Sequence, residues 1–297
     1  MTSSAPAQIS SFALPGHLHF MESHPGLPVA HITTTQATAQ VALQGAQLLA
    51  WQPTGHQPVI WVSKAAVFEP GKPVRGGVPV CWPWFGALAG QSAHGFVRTR
   101  MWQVRGSALN AAGQVVLRLG LSDDASTRAV WDHAFDLELV VTVGPTLTLD
   151  LITRNTGETP LTLSEALHTY FCVGDINATR VQGLDGCSYS DKVQAGMQCL
   201  QQGDVVFSGE TDRVYFNTTS DSLIKDTAWQ REIRVSKQGS DATVVWNPWA
   251  EREKSFADMA SGEFNDMLCV ETANAGPHQI TLAPGAQHTL SACLSVC

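Results

Sequence analysis

Three stretches of the sequence contain residue types that could do chemistry. His168 lies in EALHTYF, Glu271 lies in CVETANA, and Arg75 begins RGGVPVCWPWFG. A histidine and a carboxylate can act together as general acid and general base, and an arginine can hold a phosphate through two parallel hydrogen bonds. These residue types are therefore compatible with proton transfer beside a bound anion.

The stretch after Arg75 suits sugar binding. Its two glycines would let the backbone approach a ligand closely, and its prolines and tryptophans would form a stiff wall for sugar C–H groups. The alternative is a buried turn with Trp82, Trp84 and Phe85 in the core, and for these aromatic residues we favour it. For Arg75 we favour a binding role, because a lone guanidinium in so apolar a neighbourhood needs an anionic partner.

Alternation along EALHTYF predicts which way His168 points. Ala166, His168 and Tyr170 share one face of a strand, and Leu167 and Phe171 share the other. If the second face is in the core, the His168 side chain points away from the core, on the other side of the sheet. A histidine on a strand is more often structural than catalytic, so the alternation alone leaves both roles open.

Glu271 follows an apolar segment, residues 267–270, which is predicted to be a buried strand. A carboxylate at the end of such a strand is either the partner of a nearby basic group or part of a site. Arg75 could be that structural partner, so both interpretations stay open.

Charge and motif content argue against several functions. The net charge of −8 disfavours a broad nucleic-acid or anionic-membrane surface, because either needs a basic field. The absence of GxGxxG, GxxxxGK, HExxH and GxSxG leaves nucleotide-binding, zinc-protease and serine-hydrolase functions without support. Residues 70–122 contain no Asp or Glu, so this block is either an anion-binding site or a set of solvated arginines on strand edges. Its basic residues are Lys72, Arg75, Arg98, Arg100, Arg105 and Arg118.

Apolar and polar residues alternate with a period of two along most of the chain, which predicts β-strands. Leu147, Leu149 and Leu151 would share one buried face. A Gly-Pro pair between residues 135–143 and 147–153 predicts a hairpin.

Similar strand units recur elsewhere, and helical periodicity is scarce. The only helix candidate is residues 251–260. Many strands without crossover helices predict an all-β fold, with antiparallel sheets packed as a sandwich. The further units are residues 114–121, residues 231–246 with a turn at 238–241, and residues 278–296 with a turn at 284–285.

We expect one sandwich domain over residues 17–297, preceded by a poorly ordered arm, residues 1–16, that is rich in Ser, Ala and Pro. The chain start lacks a basic segment followed by an apolar one, and no apolar run approaches the roughly 18 residues of a membrane helix. We therefore expect a cytoplasmic protein with no membrane partner. The seven cysteines include no CxxC pair, which favours reduced, mostly buried thiols.

Six motifs in the same order resemble the aldose 1-epimerase superfamily, and within it the hexose-6-phosphate mutarotase branch. They are RGGVPVCWPWFG, HGFVR, EALHTYF, the Asp-Arg pair at 212–213, VVWNPW and CVETANA. The resemblance implies a large antiparallel β-sandwich of the galactose-mutarotase type, in agreement with the alternation. It implies an enzyme that interconverts the α and β anomers of a hexose 6-phosphate, glucose 6-phosphate foremost. A sugar phosphate would then be the partner, without nucleic acid, cofactor or metal, and we expect a monomer or weak dimer.

The resemblance also implies roles for particular residues. His168 would be the general acid that protonates the ring oxygen, and Glu271 the base that takes the proton from the C1 hydroxyl. Arg75 and Arg98 would bind the phosphate, and Asp212 would hold sugar hydroxyls. On this scheme Glu271 begins ionised and His168 begins protonated, which predicts a bell-shaped pH profile.

One position departs from the family pattern. His94 would lie near the sugar ring, but Ala93 stands where related sequences often carry Gln, so one hydrogen bond to the substrate is in question. The alternatives to a sugar-phosphate mutarotase are a mutarotase for unphosphorylated aldoses and a non-catalytic sugar-phosphate-binding module. A glycoside-cleaving enzyme usually needs two carboxylates across the bond, and the sequence offers only one convincingly.

Overall fold

Almost all regular structure in the computed structural model, which describes residues 7–297, is β-strand. The short α-helices are α1 Ala7–Ser10, α2 Ala125–Arg128 and α3 Trp249–Glu253. The strands are β1 Leu18–His24, β2 Leu27–Thr33, β3 Ala37–Ala42, β4 Leu48–Pro53, β5 Val80–Cys81, β6 Gln103–Leu109, β7 Val115–Ser122, β8 Phe135–Val143, β9 Leu147–Asn155, β10 Leu161–Leu163, β11 Glu165–Leu167, β12 Tyr170–Cys172, β13 Thr179–Gln182, β14 Ser188–Asp191, β15 Met197–Leu200, β16 Val205–Val206, β17 Thr211–Phe216, β18 Ser222–Asp226, β19 Arg231–Gln238, β20 Ala242–Asn247, β21 Met267–Asn274, β22 Ile280–Leu282 and β23 Gln287–Val296.

These strands form two large antiparallel sheets and two small ones. The nine-stranded sheet has the order β16-β13-β18-β19-β23-β9-β8-β7-β6. The eight-stranded sheet has the order β15-β14-β17-β20-β21-β11-β5, with β12 also paired to β21. Strands β1 to β4 form a third sheet, and β10 pairs with β22. The predicted all-β antiparallel architecture is confirmed.

The main core contains buried side chains from both large sheets. Leu147, Leu149 and Leu151 on β9 are at most 1% exposed, and they share one apolar cluster with Val245 and Val270 of the eight-stranded sheet. Full burial of such a side chain contributes about 1.5–3 kcal/mol. Face-to-face burial of the two sheets therefore stabilises the sandwich.

Strand β21 is buried on both faces. Leu268 and Val270 belong to the main core, whereas Cys269 and Ala273 belong to smaller apolar clusters on the opposite face. Side chains alternate along a strand, so Glu271 lies on that opposite face. The prediction that the strand ends before Glu271 is wrong, because residues on both sides of Glu271 continue the antiparallel ladder with β20.

The alternation predicts strands better than it predicts their partners. Strands β8 and β9 form the predicted hairpin. The predicted hairpins at residues 231–246 and 278–296 are wrong, because β19 and β20 lie in different large sheets and β22 pairs with β10. Each turn carries the chain from one sheet to another. The predicted helix at residues 251–260 is reduced to the single turn of α3.

The segment expected to be a poorly ordered arm extends over residues 1–16. Its first part, residues 1–6, lies outside the described residues. In the rest, α1 is followed by Phe12 and Leu14, which are partly buried and pack against the main core. No helix in residues 7–297 is long and apolar enough to cross a membrane.

A buried polar pair braces the strands that position the site. Glu165 on β11 is fully buried, and its Oε1 lies 3.2 Å from His288 Nε2 and accepts a hydrogen bond from Asn274 on β21 at 3.1 Å. The hydrogen bond to Glu165 raises the pKa of His288 above its ordinary value. This contact therefore stabilises the fold fully below about pH 6.5, and the stabilisation is lost as the pH rises through the raised pKa.

Replacing His288 with glutamine is expected to reduce this pH dependence. At acidic pH the variant should lose about 1–3 kcal/mol of unfolding free energy, because a charge-assisted hydrogen bond to a buried carboxylate is lost. Urea unfolding on either side of the ordinary histidine pKa measures the effect, with the exposed His56→Gln as the control. Equal pH slopes for wild type and His288→Gln would show that the contact carries no linked proton.

Candidate active site

The three stretches singled out by residue type meet on one face of the eight-stranded sheet. Strand β5 pairs with β11, and β11 pairs with β21. Leu167 and Phe171 are in the main core, whereas Ala166 and Tyr170 belong to clusters on the other face. The predicted alternation is thus confirmed, and it places His168 on the face that carries Glu271.

His168 and Glu271 contact each other directly. His168 Nε2 lies 3.4 Å from Glu271 Oε1, and the residues are 9% and 2% exposed. Among the described residues, His168 Nδ1 and Glu271 Oε2 have no hydrogen-bond partner. An unsatisfied buried polar atom is costly, so two of them at one place indicate a site prepared for a polar ligand.

Burial shifts the proton affinities of both members of the pair. It raises the pKa of Glu271 well above its usual range, and the charge of Asp212 adds to this effect. It lowers the pKa of His168 well below its usual range, with smaller contributions from His94 and two arginines. The free site therefore favours the carboxylic acid and the neutral imidazole, not the ion pair expected as the starting state.

Aromatic rings line the site around His168. Its imidazole stacks on Tyr170 with ring centroids 4.8 Å apart and meets His94 edge-on at 5.6 Å. The ring of Trp246 completes this wall at 6.3 Å. His94, predicted to lie near the sugar ring, is therefore beside the pair formed by His168 and Glu271.

The aromatic residues after Arg75 divide between core and site. Trp82 and Trp84 are buried in the main core, as predicted. The prediction for Phe85 is wrong, because its half-buried ring packs against the small apolar cluster that contains Ala166 and Ala273 on the site face. The ring also lies 5.0 Å from the ring of His94. Strand β5 ends at Cys81, so the loop that follows it, and not strand alternation, sets the direction of Phe85.

Arg75 has its anionic partner within the protein. Its Nε and Nη2 donate to Asp258 Oδ1 at 3.2 and 3.1 Å, and its Nη1 donates to Tyr170 Oη at 3.4 Å. The guanidinium also lies 4.5 Å from the ring centre of Phe256. Asp258, and not Glu271, is therefore the ion-pair partner of Arg75. Unused N–H groups of the guanidinium remain available to a ligand.

The two glycines after Arg75 allow neighbouring backbone segments to pack closely against them. A Cβ at Gly76 would lie 2.5 Å from Val62 Cα, and one at Gly77 would lie 2.3 Å from the Leu48 carbonyl oxygen. Both glycines have positive φ. Neighbouring backbone, and not a ligand, makes the close approach to both glycines. This packing fixes the position of the backbone from which the Arg75 side chain extends.

The acid-free block is not a single anion site. Arg98 Nη2 donates to the Ala93 carbonyl oxygen at 2.8 Å, and across residues 7–297 Arg98 has no carboxylate within ion-pair distance. The charges of Arg98 and Arg75 contribute to lowering the pKa of His168. Other members are engaged elsewhere, in the pairs Lys72–Glu69, Arg100–Ser126, Arg105–Asp136 and Arg118–Glu138.

Asp212 lies on β17 opposite Trp246 and close enough for its charge to act on Glu271. Burial raises the pKa of Asp212 to about 6. All the residues assigned to the site by sequence therefore lie around one surface of the sheet, and Asp212 keeps a carboxylate available there at neutral pH.

The sequence places this assembly in a known family. The sequence profile described as "Aldose 1-epimerase" matches residues 28–294. This chain belongs to the aldose 1-epimerase family. An aldose 1-epimerase is an isomerase, and in this epimerase His168 and Glu271 lie in direct contact.

Relatives of this epimerase cover most of its length. A protein of Escherichia coli (strain K12) named "Putative glucose-6-phosphate 1-epimerase" is 42% identical over 247 residues, which cover 82% of this chain and 82% of that protein. A protein of the same name from Cenchrus ciliaris is 36% identical over 258 residues, covering 84% of this chain and 78% of that protein.

Solved structures show the same fold. The crystal structure of "a putative mutarotase" from Salmonella typhimurium matches this epimerase with a TM-score of 0.89 at 33% identity, over 95% of this chain and 94% of that chain. A galactose mutarotase-like protein from Clostridium acetobutylicum matches with a TM-score of 0.73 at 13% identity, over 94% and 98% of the two chains. The predicted sandwich of the galactose-mutarotase type is confirmed.

Sequence reasoning missed three residues of the epimerase site. Asp258 lies 183 positions from Arg75, and no pattern in the chain singles it out among the carboxylates. Trp246 could have been predicted from sequence, because it lies in the motif VVWNPW. Cys269 could also have been predicted, since it lies two residues before Glu271 and therefore lies on the same face of the strand.

Proposed function

We propose that this epimerase interconverts the α and β anomers of a hexose 6-phosphate, with glucose 6-phosphate as the foremost substrate. The observation that carries the proposal is the buried 3.4 Å contact between His168 Nε2 and Glu271 Oε1. Anomer exchange needs one group to remove the O1 proton and another to deliver a proton to O5. An imidazole and a carboxylate on one pocket face supply both groups.

In the free pair Glu271 holds the proton, and on substrate binding this proton passes across the 3.4 Å contact to His168. In ring opening, His168 donates this proton to the ring oxygen while Glu271 takes the proton of the C1 hydroxyl. The C1–O5 bond breaks, an O5–H bond forms, and C1 becomes an aldehyde. The pair holds one proton before and after this step, since His168 loses one and Glu271 gains one. The aldehyde then rotates about C1–C2, and the reverse transfers close the ring on its other face.

The burial of the pair favours the product side of this step. Ring opening converts an imidazolium and a carboxylate into a neutral imidazole and a carboxylic acid. Those neutral forms are the ones that burial stabilises, through the raised pKa of Glu271 and the lowered pKa of His168. The open-chain intermediate is therefore formed in a site whose electrostatics match it.

Two guanidinium groups support a phosphorylated substrate. The charges of Arg98 and Arg75 both act on His168, and Arg98 has no carboxylate partner in the part of the chain that the structure describes. A guanidinium can bind phosphate through two parallel hydrogen bonds. Asp212 is assigned to sugar hydroxyls, and His94 to the side of the ring. The names of the relatives also support a 6-phosphate as substrate.

Freshly dissolved α-glucose 6-phosphate is expected to reach anomeric equilibrium much faster with the protein than without it. Polarimetry follows the reaction, and heat-inactivated protein gives the uncatalysed rate. The same assay over glucose, galactose, mannose and their 6-phosphates should give the largest acceleration for a 6-phosphate. Acceleration limited to neutral sugars would favour an unphosphorylated-aldose mutarotase, and no acceleration at all would favour a binding module.

We further propose a cytoplasmic location and a monomer or weak dimer. All seven cysteines are free thiols. The prediction that they are mostly buried is wrong, because only Cys81 and Cys269 are buried. Size-exclusion chromatography with light scattering measures the oligomeric state.

A further inference from the structure

Cys269 lies beside the acid–base pair and takes no part in the proposed reaction. It is a fully buried free thiol on β21, on the same face as Glu271. One donor atom from each of His168, Cys269 and Glu271 can be chosen so that all three lie within 4.8 Å of one another. Nitrogen, sulfur and oxygen donors grouped in this way are the ligand types that Zn²⁺ takes in proteins.

We propose that His168, Cys269 and Glu271 form a binding site for a soft divalent cation, Zn²⁺ foremost, and that its binding reversibly inhibits the enzyme. The inhibitory part rests on the proposed function. Tetrahedral zinc with donors at about 2.0–2.3 Å separates those donors by about 3.3–3.8 Å. The 3.4 Å contact between His168 and Glu271 already has this spacing. The Cys269 sulfur belongs to a donor set whose members lie at most 4.8 Å apart, so an adjustment of at most about 1 Å completes the tetrahedral spacing.

The charge balance of the pocket favours such a cation. A thiolate at Cys269 and a carboxylate at Glu271 together carry two negative charges, which match the two positive charges of the cation. Asp212 adds negative charge that acts on both groups.

The nearby positive charges are partly compensated. Asp258 accepts two hydrogen bonds from Arg75 and offsets its charge. The Glu271 Oε2 atom, which has no hydrogen-bond partner among the described residues, is available to a cation. A metal bound to Nε2 of His168 and to the Glu271 carboxylate would occupy the lone pairs that must carry protons. Inhibition follows directly from the shared atoms.

A Cd²⁺ titration tests the site without reference to activity, because a cadmium–thiolate bond absorbs in the ultraviolet. Wild type is expected to give a band that saturates at one equivalent of Cd²⁺. Cys269→Ser should lose this band, and Cys293→Ser, a thiol on the other large sheet, should keep it. Glu271→Gln keeps the thiol and should bind Cd²⁺ about 10- to 100-fold more weakly. Thermal unfolding of each variant establishes that it is folded.

Inhibition by ZnCl₂, relieved by EDTA, is the second readout. Relative to each protein's own uninhibited rate, Cys269→Ser should need at least about 10-fold more Zn²⁺ for the same loss. An undiminished band in Cys269→Ser, equal zinc sensitivity of the two proteins, or activation by Zn²⁺ would overturn the proposal. A cadmium band in a protein without mutarotase activity would support the cation site and overturn only the inhibition and the proposed function. Activity without a band would overturn the cation site alone.

Discussion

Replacing Glu271 with glutamine is expected to lower kcat for anomer exchange by about 10²–10⁴-fold. The amide has nearly the shape of the carboxyl group but cannot accept the O1 proton. Glu271 is buried and its Oε1 contacts His168, so the amide of the variant should keep its place beside the imidazole. Two-dimensional NMR exchange between the anomers of glucose 6-phosphate measures the rate, after subtraction of the uncatalysed reaction.

The control is Glu138→Gln, which changes a mostly buried carboxylate paired with Arg118 on the other large sheet. It should retain near-wild-type activity. The double variant His168→Gln/Glu271→Gln should be little worse than either single variant, because groups that act as a unit lose their effect together. Retention of more than about a tenth of the activity by Glu271→Gln would remove this residue from the role of base.

Replacing Arg75 or Arg98 with alanine is expected to lower kcat/KM for glucose 6-phosphate by about 10- to 100-fold. A hydrogen bond to a charged group contributes about 1.5–3 kcal/mol, and 1.4 kcal/mol corresponds to a factor of ten. The neutral sugar lacks the phosphate, so kcat/KM for glucose should fall far less. Parallel polarimetric assays on the two substrates measure the difference.

The two arginines need different controls. Arg75→Ala leaves Asp258 without its partner, so Arg75→Ala/Asp258→Asn separates loss of the guanidinium from exposure of an unpaired carboxylate. Arg118→Ala, from the same acid-free block but paired with Glu138, should leave both substrates unaffected. Equal losses for glucose and glucose 6-phosphate would show that the arginine in question is structural.

The direction of each side chain on the site strands was predictable from sequence, because alternation with a period of two is a local property. It correctly put Leu167 in the core and Tyr170 on the opposite face. The same alternation places Cys269 on the face of Glu271. Once one site residue on a strand is known, the alternation therefore predicts which of its neighbours share its face.

Pairing between distant segments was not predictable in the same way. A turn at residues 238–241 looks the same whether its strands pair or enter different sheets, and the outcome depends on which sheet buries each apolar face. The Arg75–Asp258 pair is of this kind, as is the contact between His168 and Glu271. The family resemblance predicted that His168 and Glu271 lie together, whereas only the structure revealed the Arg75–Asp258 pair.

Strand β21 carries core residues and site residues in strict alternation, with Leu268 and Val270 on one side and Cys269 and Glu271 on the other. Deleting or inserting a single residue upstream in this strand would exchange the two sets, driving a carboxyl into the hydrocarbon interior and leucine into the pocket. A change of length in a flanking loop does not alter this alternation. The spacing within the strand itself is tied to folding and catalysis at once.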